Sequence, residues 1–148
     1  SEAPATEVVL DQDGCVYRPR VSVAQAGQKV VIKNSDQTLH NVHTYKGPAT
    51  LFNTAQPQGF KPMTKTFPTA GDVIKFKCDV HPWMTGWVAV TDNPFFAITG
   101  EDGTFKIDNL PAGSYTIEAW HEKFGTQTQD VKVTDAKPLE LKLEFKQK

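Results

Sequence analysis

Cysteine is scarce in this chain of 148 residues: there are two, Cys15 and Cys78, beside two methionines. Two cysteines make one disulfide at most, so a scaffold stapled by several bridges is excluded. An excess of one charge is also missing. Sixteen Lys and Arg stand against seventeen Asp and Glu, a net charge of -1. That removes the bulk electrostatic argument for a nucleic acid or an anionic membrane as partner. No apolar run approaches the ~20 residues of a membrane-spanning helix, and no segment carries a convincing helical stripe. No constellation of acid, base and nucleophile is present, so no catalytic turnover on a substrate is expected. The opening Ser1-Glu2-Ala3-Pro4 lacks a Met and a leader-like segment. It reads as the front of a mature, processed chain or of a trimmed one, and the first of these goes with the expectation of a periplasmic or otherwise extracytoplasmic protein.

What the chain does have is alternation. Val21 and Val23, Val30 and Ile32, Ile74, Phe76 and Cys78, then Val88 and Val90 have the period of strands with one buried face. Gly27 and Ala70-Gly71-Asp72 mark turns between them. Residues 48–69 are long, polar and proline-containing and predict an irregular excursion with at most short strand or helix pieces. Asp92-Asn93-Pro94 reads as a boundary. Beyond it, residues 95–99, Phe105 and Ile107, then Tyr115, Ile117 and Ala119 predict further strands. Leu139, Leu141, Leu143 and Phe145 alternate with charged residues and predict one more. The organisation expected is two all-β units, residues 1–91 and 92–148. The second is under about 60 residues, marginal by itself, and is expected to pack on the first.

Two short segments carry chemistry: His40-Asn41-Val42-His43 and Cys78-Asp79-Val80-His81-Pro82-Trp83-Met84. Taken singly, Cys78 reads as a buried thiol, His81 as an exposed loop imidazole and Met84 as core filler. The spacing Cys-x-x-His-x-x-Met changes that reading. With His40 it supplies one thiolate, two imidazoles and a weak thioether, the donor set of a mononuclear blue-copper centre. Strand parity separates the two histidines of the first segment. His40 shares a face with Val42, which marks the inward side, and His43 shares the opposite face with Asn41. His40 is therefore the expected ligand. His121 beside Glu122 is a weak metal signal and reads as an ordinary surface or core pair.

These residues carry a resemblance. Tyr17-Arg18-Pro19 before Val21, Ala26-Gly27-Gln28-Lys29-Val30, the His40 segment and Phe76-Lys77-Cys78 through Met84 resemble the cupredoxins, and among them the amicyanin and plastocyanin group. The resemblance covers about the first ninety residues. It implies one copper ion cycling between Cu(I) and Cu(II), held by His40, Cys78, His81 and Met84. It also implies single-electron transfer between redox proteins, with a cytochrome or oxidoreductase docking near His81 on the apolar tip Pro82-Trp83-Met84. Asn41 would tie the two ligand segments together. Asp79 and Val80 depart from the family pattern inside the loop, and Cys15 has no cysteine counterpart in it. Cys15 stays open as a free thiol near the metal, a second thiolate ligand or a disulfide partner of Cys78.

The rest of the chain, through Asp102-Gly103-Thr104-Phe105, Leu110-Pro111-Ala112-Gly113 and Tyr115 to His121, resembles the transthyretin-like carboxypeptidase regulatory domain. That likeness implies a fold and no chemistry. The segment is shorter than the full domain, so a strand is missing or comes from the first unit. The fold class expected is all-β: a cupredoxin-like Greek-key β-sandwich followed by a small transthyretin-like β-sandwich unit packed against it. Two other functions stay beside electron transfer: copper binding or delivery, and a metal-stabilised structural interaction module.

Overall fold

The computed structural model describes residues 2–146. Eleven β-strands and no helix are formed among the described residues. The chain divides into two compact units between Phe105 and Lys106. The boundary expected after Thr91 lies at the end of the ninth strand, and the compact first unit continues past it to Phe105.

Nine strands build the first unit as two sheets. One sheet has the order β2 (Tyr17–Arg18), β1 (Val8–Gln12), β4 (Val30–Asn34), β7 (Met63–Lys65). The other runs β3 (Val21–Gln25), β9 (Thr85–Thr91), β8 (Val73–Lys77), β5 (His40–Lys46), β6 (Ala49–Gln56). Two pairings are parallel, β1 with β4 and β3 with β9, and join strands distant in sequence. The period-two residues face inward from both sheets. Leu10, Val30 and Ile32 of the first meet Val42, Ile74, Phe76 and Val88 of the second in one buried cluster. Fully burying an aliphatic or aromatic side chain contributes roughly 1.5–3 kcal/mol, so this cluster supplies most of the unit's cohesion. Phe76 is its centre, with Tyr17 and Phe67 set edge-on at 5.8 and 6.3 Å between ring centroids.

A buried polar clasp crosses the sandwich near the site. Gln12 Nε2 donates to Gln56 Oε1 at 2.6 Å and to the Lys33 carbonyl at 3.0 Å, while Gln56 Nε2 donates to the Ile32 carbonyl at 2.9 Å. Gln56 lies opposite His40 in the β5–β6 ladder. Side-chain amides buried without partners would cost several kcal/mol, whereas paired ones fix one register. The clasp thereby pins the start of β5, where His40 sits.

Two segments differ from the sequence expectation. The excursion of residues 48–69 contains a full edge strand, β6, whose side chains are mostly exposed. It pairs with β5 through seven residue positions, with an irregularity at Thr44/Tyr45. An edge strand with little burial has no alternation to read. Beyond β9, residues 95–99, 105–107 and 139–145 form no ladder among the described residues. The second unit holds one antiparallel hairpin, β10 (Gly113–His121) with β11 (Gly125–Val133). Burial still alternates along residues 141–146, and Gln127 Nε2 donates to the Glu144 carbonyl at 3.0 Å. No described residue after Val90 is fully buried, so alternation there lacks the apolar burial that locks a strand into register. His121 ends β10 and stacks on Phe124 at 4.6 Å, its Nδ1 accepting from the Lys123 amide, a structural role with no ligand geometry.

Candidate metal centre

Strand alternation delivers the first imidazole. Along β5, His40, Val42 and Thr44 are buried, while Asn41 and His43 lie on the other face. His40 is inside the sandwich and fully buried; His43 is not. Cys78 follows directly on β8 and continues its inward set, Ile74 and Phe76, at 1% exposure. The chain then turns tightly. The Met84 amide donates to the His81 carbonyl at 2.9 Å, which returns the chain into β9 with Met84 fully buried.

Three donor atoms converge. His40 Nδ1 and His81 Nδ1 are 3.1 Å apart, and Cys78 Sγ lies 3.7 and 3.8 Å from them. Metal bonds of about 2.0–2.1 Å to nitrogen and 2.3 Å to sulfur put two nitrogens ~3.3 Å apart, and nitrogen and sulfur ~3.6 Å apart, around a tetrahedral ion. The observed triangle has that size. Its chemistry fits too. His40 Nε2 lies 2.8 Å from Asp36 Oδ2, and a carboxylate only accepts, so that nitrogen carries the ring proton. His40 Nδ1 therefore presents a lone pair toward His81 Nδ1 and Cys78 Sγ. A thiolate and two imidazoles in this arrangement suit copper, and Met84, the thioether expected from the sequence, is fully buried at the end of the same turn.

Asp36 is the functional residue that the sequence reading missed. Its carboxylate also accepts from the Gly14 amide at 2.7 Å and the Cys15 amide at 2.9 Å. Burial opposes its charge, but the bonds from His40, Cys15 and Gly14 outweigh it and hold the carboxyl below its ordinary range. A carboxylate behind a ligating imidazole fixes the ring's tautomer and orientation. The spacing from Asp36 to His40 was the only local signal available.

Asn41 braces the ligand loop from the outer face of β5. Its Oδ1 accepts from the Asp79 amide at 2.7 Å and from the Cys78 thiol at 3.4 Å. Its Nδ2 donates to Asp79 Oδ2 at 2.8 Å and Asn53 Oδ1 at 2.9 Å. Asp79, the departure noted in the loop, pairs with His43 Nδ1 at 3.1 Å. What burial it has opposes its charge, and the bonds from His43 and Asn41 overcome that and lower its pKa. His43 is thus a loop brace on the surface side. Lys77 adds another, with Nζ donating to the Pro82 carbonyl at 2.7 Å and to Thr85 Oγ1 at 2.8 Å. Beneath the loop, Tyr17 donates its hydroxyl to the Lys77 carbonyl at 2.9 Å, and burial together with the Cys78 and Asp79 charges pushes its phenol far up.

Cys15 and Cys78 are both free thiols. Cys15 lies at the other edge of the His81 ring, with Sγ 3.9 Å from Nε2. Donor atoms of Cys15, His40 and His81 all fall within 4.8 Å of one another. The Cys15 carbonyl accepts from Trp83 Nε1 at 2.8 Å, and the Trp83 ring stands edge-on to His81 at 5.1 Å. Trp83 and Val80 are 60% and 49% exposed, so the rim around half-buried His81 is apolar and open.

A search of solved structures finds matches to this sandwich. Amicyanin from Paracoccus versutus (Thiobacillus versutus) is 27% identical, with a TM-score of 0.50 over 59% of this chain and 83% of that one. The first unit has the cupredoxin fold. A purple cupredoxin from Nitrosopumilus maritimus shares the fold at 24% identity and a TM-score of 0.50, over 57% of this chain and 99% of that one. A copper-containing nitrite reductase from Thermus scotoductus SA-01 shares it at 23% identity and a TM-score of 0.51, over 60% of this chain and 23% of that one. Residues 88–146 match the carboxypeptidase regulatory-like domain family. No curated protein sequence matches the chain. The cupredoxin fold and the donor triangle of His40, Cys78 and His81, with Met84 buried, together support a copper-binding cupredoxin-like protein.

Proposed function

We propose that the cupredoxin unit holds one copper ion through His40, Cys78, His81 and Met84 and passes single electrons between redox proteins. When bound, copper supplies a one-electron couple between its cuprous and cupric states. The observation that carries the reading is the triangle of His40 Nδ1, His81 Nδ1 and Cys78 Sγ, with His40 Nε2 already committed to Asp36. The surrounding residues hold these donors still. Asp36 fixes one imidazole, Asn41 and Lys77 fix the loop, and the buried cluster excludes water from the Cys78 side. A ligand set held in place by its surroundings changes little between oxidation states, which favours rapid electron exchange. The exposed rim of Val80, Pro82 and Trp83 around His81 suits a short-lived encounter with a cytochrome or oxidoreductase. The same reading puts the protein to work in the periplasm or another extracytoplasmic compartment, which cell fractionation tests.

The visible spectrum of the copper-loaded protein is the decisive measurement. A strong thiolate-to-copper band with a reversible potential is expected, and Cys78→Ser removes the band while circular dichroism keeps its β-sheet form. A band that survives Cys78→Ser refutes the ligand set. Rapid surrender of copper to a chelator, without a reversible potential, favours copper delivery instead.

A further inference from the structure

We propose that Cys15 and His81 form a second, outer site for a soft monovalent cation of the Cu(I) or Ag(I) class, separate from the inner donor triangle. The proposal goes beyond the electron-transfer reading. His81 is a two-edged ring here: Nδ1 faces His40 and Cys78, while Nε2 faces the second thiol at 3.9 Å. Bonds of about 2.3 Å to sulfur and 2.0 Å to nitrogen span 3.9 Å at an S–metal–N angle of roughly 130°. An ion therefore fits between Sγ and Nε2 without displacing either residue. The donor pair is one thiolate and one imidazole, which selects soft ions over hard ones.

The backbone of Cys15 is anchored on both sides. Its amide and that of Gly14 are held by the Asp36 carboxylate, and its carbonyl is held by the Trp83 indole. It sits at a positive φ of 55°, unusual for a residue with a side chain, so the loop sets the direction in which its Cβ leaves the backbone. Access separates the two sites. Cys78 and His40 are buried, at 1% and 0% exposure, whereas Cys15 and His81 are half-buried. An ion arriving from solvent meets the outer pair first, with His40 in reach: the donor atoms of Cys15, His40 and His81 lie within 4.8 Å of one another. Proton balance is simple in the metal-free chain. The Cys15 thiol releases its proton to solvent, His81 keeps its proton on Nδ1, and one proton leaves when the outer pair alone is filled; with the inner ion also bound, His81 bridges the two ions as an imidazolate, and Cys15, Cys78 and His81 release three protons in all.

Silver(I) is the probe, because it shares the preferences of Cu(I) without redox chemistry. The metal-free full chain is titrated anaerobically and weighed by native mass spectrometry. Two Ag(I) per wild-type chain are expected, one in Cys15→Ser and one in Cys78→Ser. In Cys78→Ser with one Ag(I), the ¹⁵N resonance of His81 Nε2 moves and that of Nδ1 does not. Saturation of the wild type at one ion, or uptake of two by Cys15→Ser, overturns the proposal. So does an unmoved His81 Nε2 resonance, because the thiol would then be binding alone. Should either variant fail to fold, the wild type at two equivalents still decides: both ring nitrogens of His81 have then moved, Nδ1 toward the inner ion and Nε2 toward the outer, and an unmoved Nε2 overturns the proposal. A wrong inner ligand set shows itself separately, as a missing thiolate band in the Cu(II)-loaded wild type.

Discussion

Asp36 Oδ2 stands 2.8 Å behind His40 Nε2, and the same carboxylate receives the Gly14 and Cys15 amides. One side chain thus sets the tautomer of an inner donor and the position of the loop that carries Cys15. Asp36→Ala should weaken copper binding by roughly 10–100-fold, the usual cost of losing a partner behind a ligating histidine. Competition titration with a chromophoric chelator measures it, and an unchanged affinity would show that His40 is held without Asp36.

Asp36 should also make the metal-free protein acid-sensitive. Its folded pKa lies below the unfolded value, so its contribution is present above the ordinary carboxylate range of about 3.9 and is lost as pH falls through the lowered folded value. Urea midpoints of the wild type should fall more steeply on the acid side than those of Asp36→Asn. Parallel curves would contradict the shift.

His40→Ala should abolish or reshape the copper spectrum, and His43→Ala should leave it. The two side chains leave β5 on opposite faces, one to the donor triangle and the other to Asp79 and Thr50. Equal spectral losses from both would mean that each imidazole reaches the metal.

Met84→Leu should keep copper bound and raise its reduction potential. Met84 is fully buried and the exchange nearly conserves volume, so the fold should hold. A weak thioether donor favours the more highly charged cupric state, and its removal favours the cuprous one. Voltammetry on the variant would show no shift if Met84 only fills the core.

Gly86→Ala should cost about 1–3 kcal/mol by overpacking. A Cβ at Gly86 would stand 3.0 Å from Tyr17 Cβ and 3.2 Å from its Cγ, atoms near the backbone that cannot swing aside. Thermal unfolding measures the loss, and a neutral result would mean that Tyr17 and its bond to the Lys77 carbonyl move freely.

The convergence of His40, Cys78 and His81 was legible because its logic is local. Period-two burial carried Ile74 and Phe76 on to Cys78, Val42 gave the parity of His40, and the loop spacing did the rest. Asp36 was not legible: it sits in a polar stretch, Ser35-Asp36-Gln37, that reads as a turn, and its partners at residues 14 and 15 meet it only through the β1–β4 pairing. β6 was missed because an exposed edge leaves no periodic trace. After Thr91 the opposite happened. Alternation was present along residues 139–146, but with no fully buried residue to enforce it, it produced no ladder.

The carboxypeptidase regulatory-like match begins at Val88, in the middle of β9, and β9 lies between β3 and β8 in the cupredoxin sheet. Val88 and Val90 therefore answer to two sequence patterns at once: they are core residues of the sandwich and the opening of the second family's signature. A shuffled gene that took the second domain from its first matched residue would carry away the C-terminal half of an interior strand. Any recombination that spares the copper fold has to cut after Thr91, so the point where two families can be joined is set by a ladder and not by the end of a motif.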